Sequence, residues 1–256
     1  MKINFTIESG RDLDEFLRDD LLIPKKIRHF LRMDGGVTVD GDVVTVDFKD
    51  EYYPAHSVMA SDGEVDVVYE DEHLIVVDKS AGMKTHNNSV DETDTLINYV
   101  AGYLESAPYV VHRLDRETSG LVMFAKNPVV LPILTKMLEG KAVSRTYIAK
   151  VSRSVKDGVL SSNIGRDRHE ANKYVLVARG GKTAVTHVRN IGAGLVECVL
   201  ETGRTHQIRV HLGCVVGDPL YNPKSKAPRM MLHALQMDFV HPITKEAVHI
   251  ESGKRF

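Results

Sequence analysis

Asp115 stands between Arg113 and Arg116 in the stretch Val111 to Lys126, VHRLDRETSGLVMFAK. Nearby positive charge favours the ionised form of a carboxylate, and an ionised carboxylate on a rigid loop can act as nucleophile or general base. The same pattern also describes a structural ion pair on a surface loop, and these residues alone leave both readings open. A glycosidase-like hydrolase would need a second carboxylate at a set separation. The near candidate, Glu117, lies on the same short turn, which disfavours that chemistry. To hold the loop, Tyr109, Val110 and Val111 read as a short buried strand before it and Leu121 to Ala125 as another after it. Thr118-Ser119-Gly120 supplies turn chemistry between them.

HRLDRETSGLVMFAK is similar to the central motif of the RluA family of pseudouridine synthases, and further segments resemble that family in order. DEHLIVVDKSAGMKTH (Asp71 to His86) resembles its first motif. SRTYIA (Ser144 to Ala149) resembles its K-x-Y-x-A segment, and Asn163 to His187 resembles its IGR and GGK-x-AVTH segments. LETGRTHQIRVHL (Leu200 to Leu212) resembles the third motif, Gly217 to Tyr221 its GDPLY turn, and Leu232-His233-Ala234 its terminal strand. The resemblance spans roughly residues 65 to 252.

It implies an α+β catalytic domain of mixed, mainly antiparallel sheet flanked by helices, isomerising uridine to pseudouridine in ribosomal or transfer RNA. No redox change occurs, so no cofactor is implied. By the same resemblance Asp115 is the catalytic residue, as nucleophile or base, Arg209 pairs with it, and Tyr147 stacks on the base and could shuttle a proton. Arg113 would fill the gap left by an extruded nucleotide, since chemistry on a stacked base demands flipping. Arg204, Lys79, Arg166 and Lys182 would contact phosphates. The rival is a non-catalytic RNA-binding protein with a relict site; the joint presence of Asp115, Tyr147 and Arg209 argues against it.

Residues 1 to 60 read as a separate unit. Ile3, Phe5 and Ile7 alternate as a strand, Leu13, Phe16, Leu17 and Leu21 repeat at helical spacing, and Pro24 starts a second helix through Ile27, Phe30 and Leu31. Gly35-Gly36 ends it, and Val37, Val39, Val43 and Val46 alternate about a turn. This order resembles the small S-four-type RNA-binding module. Lys25, Lys26, Arg28 and Arg32 on the second helix would then touch phosphates, although Asp19, Asp20 and Asp34 dilute the charge. Tyr52 to Glu64 reads as a linker crossed by few contacts, leaving residues 65 to 256 as the catalytic domain. There, Leu74 to Asp78 reads as a strand and Asp94 to Leu104 as a capped amphipathic helix. A further helix follows Asn127-Pro128, and a strand carries Tyr147.

Composition bounds the rest. Lys and Arg number 33 against 35 Asp and Glu, so any RNA surface must be a local patch. Two cysteines in no ligand spacing suit a reducing compartment. The N-terminus lacks a signal peptide's apolar run, and no stretch approaches the roughly 18 apolar residues of a membrane span. A cytoplasmic protein without an obligate protein partner is expected. His206 and His211 would lie about 140° apart on a helix, so they make no metal pair, and no metal is read. Gly181-Lys182-Thr183 lacks the upstream glycine of a nucleotide-binding loop, since Leu176 stands there.

Overall fold

The computed structural model describes residues 1–89 and 91–256. In the first unit, β1 (Lys2–Thr6) leads through Asp12, whose carboxylate accepts from the Glu15 amide, into α1 (Leu13–Glu15). That helix widens into a π turn over Phe16–Asp20 before α2 (Lys25–Met33). Strands β2 (Val37–Asp40) and β3 (Val43–Asp47) close a three-stranded antiparallel sheet in the order β1-β3-β2.

The larger sheet begins with β4 (Val67–Glu70) and β5 (Leu74–Lys79). Helix α3 (Leu96–Leu104) follows, with the Thr95 amide donating to Asn98 Oδ1 across its first turn, so the cap is Thr95 and not Asp94. Then come β6 (Tyr109–Val110), β7 (Ser119–Ala125), α4 (Val130–Glu139), whose first amide donates to Asn127 Oδ1, and β8 (Val143–Lys150). Strands β9 (Gly158–Arg166), β10 (Tyr174–Val177), β11 (Lys182–Gly192) and β12 (Leu195–Leu200) are antiparallel neighbours, with β11 returning past β10 to pair with β9. Helix α5 (Gln207–Leu212) and strands β13 (Leu232–Val240) and β14 (Ala247–Glu251) complete the chain. The order is β10-β9-β11-β12-β8-β13-β7-β5-β4, with β14 on β13 and β6 on β7. Strands β13 and β7 pair in parallel, and the sheet is otherwise antiparallel among the described residues.

Strands β5 and β7 are buried along their whole length because both faces are covered. Leu74, Val76, Leu121 and Met123 face the side carrying Val130, Ile133 and Leu134 of α4, while Ile75, Val77, Val122 and Phe124 face Leu96, Ile97 and Val100 of α3. Leu114, Tyr147 and Ile208 belong to the second side.

Two sequence expectations are corrected here. Ser119 and Gly120 belong to β7 and not to a turn. Gly120 has φ +110°, and a Cβ there would lie 2.2 Å from the Ala234 carbonyl oxygen, so only glycine lets β7 approach β13 this closely. Contacts also cross between the first unit and the rest. Ile3, Phe5, Phe16, Leu31, Val44 and Val46 share one continuous buried cluster with Leu74, Val130 and Leu134. Lys136 Nζ donates to the Asp19 carbonyl at 2.8 Å, and His56 stacks on Tyr109. A unit this small has a small core of its own, and α4 packs against it to extend that core. Residues 54–66 form neither helix nor strand, yet Ser61 and Met59 are hydrogen-bonded to Asn98 of α3.

Candidate active site

The loop between β6 and β7 is clamped on both sides of Asp115. Buried Thr85 accepts from the Leu114 amide at 3.1 Å and donates to the Leu114 carbonyl at 3.0 Å. Leu114 itself sinks into the core. On the other side the Arg116 carbonyl accepts from the Gly82 amide at 2.8 Å and from Lys79 Nζ at 3.1 Å. The Asp115 carbonyl accepts from Thr118, which closes the turn. His112, two residues before Leu114, accepts the Met123 amide on Nε2 at 3.1 Å. Burial, helped by the Arg145 charge, pushes His112 down to about 3, so it stays neutral and keeps that lone pair.

Lys79 is the first corrected site residue. Its side chain is fully buried and its ammonium donates to the carbonyls of Ser80, Met83 and Arg116 at 2.8 to 3.1 Å. Burial pushes it down to about 7, with Asp115 opposing that shift. Its three donors are spent on the loop that carries Asp115, in place of the exposed position expected for a phosphate contact.

The arginines flanking Asp115 are not its partners either. Arg113 is exposed at the rim, and Arg116 Nε donates to the Gly82 carbonyl. The counter-charge comes from α5, where Arg209 Nη1 donates to Asp115 Oδ2 at 2.9 Å. Arg209 is buried, and its Nε and Nη2 grip both oxygens of Asp218 at 2.8 and 2.9 Å. Burial works against both charges. The Arg209 guanidinium and the Leu220 and Tyr221 amides nevertheless hold Asp218 below the usual carboxylate range, and Asp218 with Asp115 raises Arg209. The Tyr221 ring lies 5.1 Å from the guanidinium carbon, a cation–π contact.

Sequence reasoning left Asp218, Tyr221 and His206 without a role. The signal for Asp218 was its place after Gly217, whose φ of +73° and close approach to the Arg229 carbonyl make the tight turn that aims it inward. Tyr221 donates to the Tyr174 carbonyl at 3.0 Å, and its hydroxyl also meets His206 Nδ1 at 2.9 Å. His206 adopts left-handed backbone at φ +58° and directs Nε2 to 3.8 Å from Asp115 Oδ2. Gln207 fixes this turn by accepting on Oε1 from Thr202 Oγ1 and the Arg204 amide.

Asp115 Oδ1 has no protein partner among the described residues, and Asp115 lines a cavity of about 580 Å³. Arg113, Tyr147, Arg204 and Arg209 line it too, together with His206, Ile208 and Leu232. Burial raises the Tyr147 phenol above its ordinary value, so at neutral pH it is a proton donor. The site thus presents one free carboxylate oxygen, a protonated phenol and apolar walls, which suits base stacking and acid–base or nucleophilic work on a polar substrate.

The remaining expected residues lie elsewhere. Arg166 ends β9 and Lys182 begins β11, both exposed and outside the cavity. In α2, Lys25 and Lys26 are exposed, but Arg28 donates to the Ile23 carbonyl and pairs with Asp14, and Arg32 also pairs with Asp14. Of the four basic residues expected to touch phosphates, the two lysines stand exposed, while the two arginines share the single carboxylate of Asp14.

Residues 73–213 match the family model for RNA pseudouridylate synthase. The chain belongs to the RNA pseudouridine synthase family. It is an RNA-modifying isomerase of the RluA type, and residues 1–50 match the model for the RluD ribosomal pseudouridine synthase N-terminal domain. Similar proteins include the uncharacterised RNA pseudouridine synthase YhcT of Bacillus subtilis, 39% identical over 89% of this chain and 80% of that one. The ribosomal large subunit pseudouridine synthase D of Neisseria meningitidis serogroup A is 40% identical over 73% of this chain, which spans 58% of that relative. Among solved structures, human RNA pseudouridylate synthase domain containing 1 superimposes with a TM-score of 0.62 at 25% identity, over 79% of this chain and 86% of that one. The pseudouridine synthase thus has an α+β fold, with the mixed sheet and flanking helices expected. No helix among its described residues is long and apolar enough to cross a membrane.

Proposed function

We propose that this synthase modifies uridines of large-subunit ribosomal RNA in the cytoplasm, without an obligate protein partner, and that Asp115 is its catalytic residue. The observation that supports the site reading is the asymmetry of Asp115: Oδ2 is bound by Arg209, while Oδ1 has no protein partner at the cavity. Support for the RNA class comes from the names of relatives such as the Neisseria meningitidis enzyme. In the reaction the bond between uracil N1 and the ribose anomeric carbon breaks, the uracil turns in place, carbon five bonds to the anomeric carbon and loses its proton to solvent, and N1 takes up a proton, so the net change is an isomerisation. Oδ1 either attacks the anomeric carbon or removes a sugar proton, and Arg209 keeps the carboxylate oriented and charged. Tyr147 stacks on the uracil and offers its phenol proton, Arg113 fills the duplex gap, and Arg204, Arg166 and Lys182 meet phosphates.

Pseudouridine mapping across ribosomal and transfer RNA, with and without the gene, tests the substrate. A missing site in large-subunit RNA is expected; loss confined to transfer RNA would overturn that assignment. Asp115→Asn is expected to fold and bind RNA yet form no pseudouridine, because an amide is neither nucleophile nor base. Activity within about tenfold of wild type would remove Asp115 from the chemistry.

A further inference from the structure

Arg145 is the unexplained charge of the site. It sits on β8 two residues before Tyr147, lines the same cavity as Asp115, and is only 9% exposed. Among the described residues its side chain makes no hydrogen bond and no ion pair. Its Nε is buried without a partner, whereas its terminal nitrogens are not among the fully buried unpartnered atoms. Arg209, the other buried arginine lining the cavity, is satisfied by two carboxylates. A guanidinium taken out of water without a counter-charge is costly, and such a group is retained where a ligand supplies the missing anion.

The surroundings make room for one. Gly203 packs against the guanidinium, and a Cβ there would lie 3.1 Å from Arg145 Nη1, tighter than ordinary contact. The same cavity is lined by Leu138 and Glu139 at the end of α4 and by Lys141 just after it. Glu201 in that lining is paired with Lys141 and His187, and no ion pair joins Arg145 to Glu139 or Glu201 among the described residues. A neutral uracil carbonyl could accept a hydrogen bond but would leave the charge uncompensated; a phosphodiester answers both needs, and the planar fork of arginine matches it.

We infer that Arg145 binds a backbone phosphate of the RNA next to the reacting uridine, holding the flipped nucleotide in register between Tyr147 and Asp115. The inference rests on the reading that uridine reacts beside Asp115. It makes Arg145 a binding residue of the inner site, distinct from Arg113, Arg204, Arg166 and Lys182.

The test uses the full chain under single-turnover conditions, with total RNA from a strain lacking the gene, its uridines tritiated at carbon five. Release of tritium is followed against enzyme concentration between low and moderate salt, for wild type, Arg145→Gln and Arg145→Lys. Arg145→Gln is expected to raise the half-saturating enzyme concentration roughly tenfold or more and to flatten its log-log salt dependence by about 0.7 to 0.9, one phosphate contact. Arg145→Lys should keep the wild-type slope with weaker saturation, because it retains the charge without the fork. Thermal midpoints should stay level or rise, since an unpaired buried charge is removed or made easier to solvate. An unchanged slope in Arg145→Gln, with either a lower midpoint or a lower maximal rate, would overturn the inference in favour of a packing or base-contacting role. Should Arg145→Gln fail to fold, a flattened slope in Arg145→Lys would overturn it as well. No tritium release by wild type would instead overturn the reading on which it rests.

Discussion

Asp218 holds Arg209 by two hydrogen bonds of 2.8 and 2.9 Å, which occupy two guanidinium nitrogens and leave the third for Asp115. Asp218 is fully buried, and the Leu220 and Tyr221 amides fix its carboxylate. The orientation of Asp115 therefore depends on a residue that lies 103 positions further along the chain and does not touch it.

Asp218→Asn is expected to lower the single-turnover rate at saturating RNA by roughly a hundredfold, since small misplacements of a reacting group have effects of that order. It should also cost about 3 to 5 kcal/mol of stability, the range for breaking a buried pair. RNA affinity should change little. Denaturant unfolding and the rate, both measured below the variant's unfolding midpoint, check this; a wild-type rate in a destabilised protein would reduce Asp218 to a structural residue.

Tyr147→Phe should keep base stacking and lose turnover, whereas Tyr147→Ala should lose both, because base–aromatic stacking is worth about 1 to 3 kcal/mol. Equal RNA affinity of the two variants would return Tyr147 to the core. Half-saturation under single-turnover conditions is the measurement.

Lys79→Met leaves the carbonyls of Ser80 and Met83 without the Lys79 donor and leaves the Arg116 carbonyl only the Gly82 amide. Each buried acceptor left unmet costs about 1 to 3 kcal/mol, so a clear drop in unfolding free energy is expected, with reduced turnover as the Asp115 loop loosens. The salt dependence of RNA binding should match wild type. A flatter dependence would restore the phosphate contact that the sequence alone suggested.

His112 is neutral when folded, its value pushed down from 6.5 to about 3. Between those values the unfolded chain binds the extra proton, so stability falls as pH drops through this window and the contribution is complete above about 6.5. From pH 7 to pH 5 the loss from this one group is about 2 kcal/mol. His112→Gln, which keeps an acceptor for the Met123 amide, should remove that part of the decline. Urea unfolding at the two pH values decides it; identical declines in both proteins would show that His112 is not the source.

Much of this synthase was legible in its residues. The β5 and β7 strands, the helices after Pro24, Asp94 and Pro128, and the α+β class follow from local periodicity and capping, which act within a few residues. The segments around Asp115, Tyr147 and Arg209 were recognisable as ordered motifs, and the structure brings all three to one cavity. The pairing of Asp115 with Arg209 was legible only through the resemblance. The local residues alone pointed to Arg113 and Arg116, yet adjacent side chains on a turn diverge, while this loop and helix α5 converge on one cavity. Lys79 and Arg28 looked available for RNA because sequence shows charge but not burial; carbonyls and a carboxylate from other elements occupy them. Ser119-Gly120 read as a turn because glycine permits one, and only the approach of Ala234 shows that this glycine makes space between two strands. Burial and partner choice are properties of the whole packed chain, so tertiary structure alone decided which charges hold the site and which, Arg145 among them, remain for a ligand.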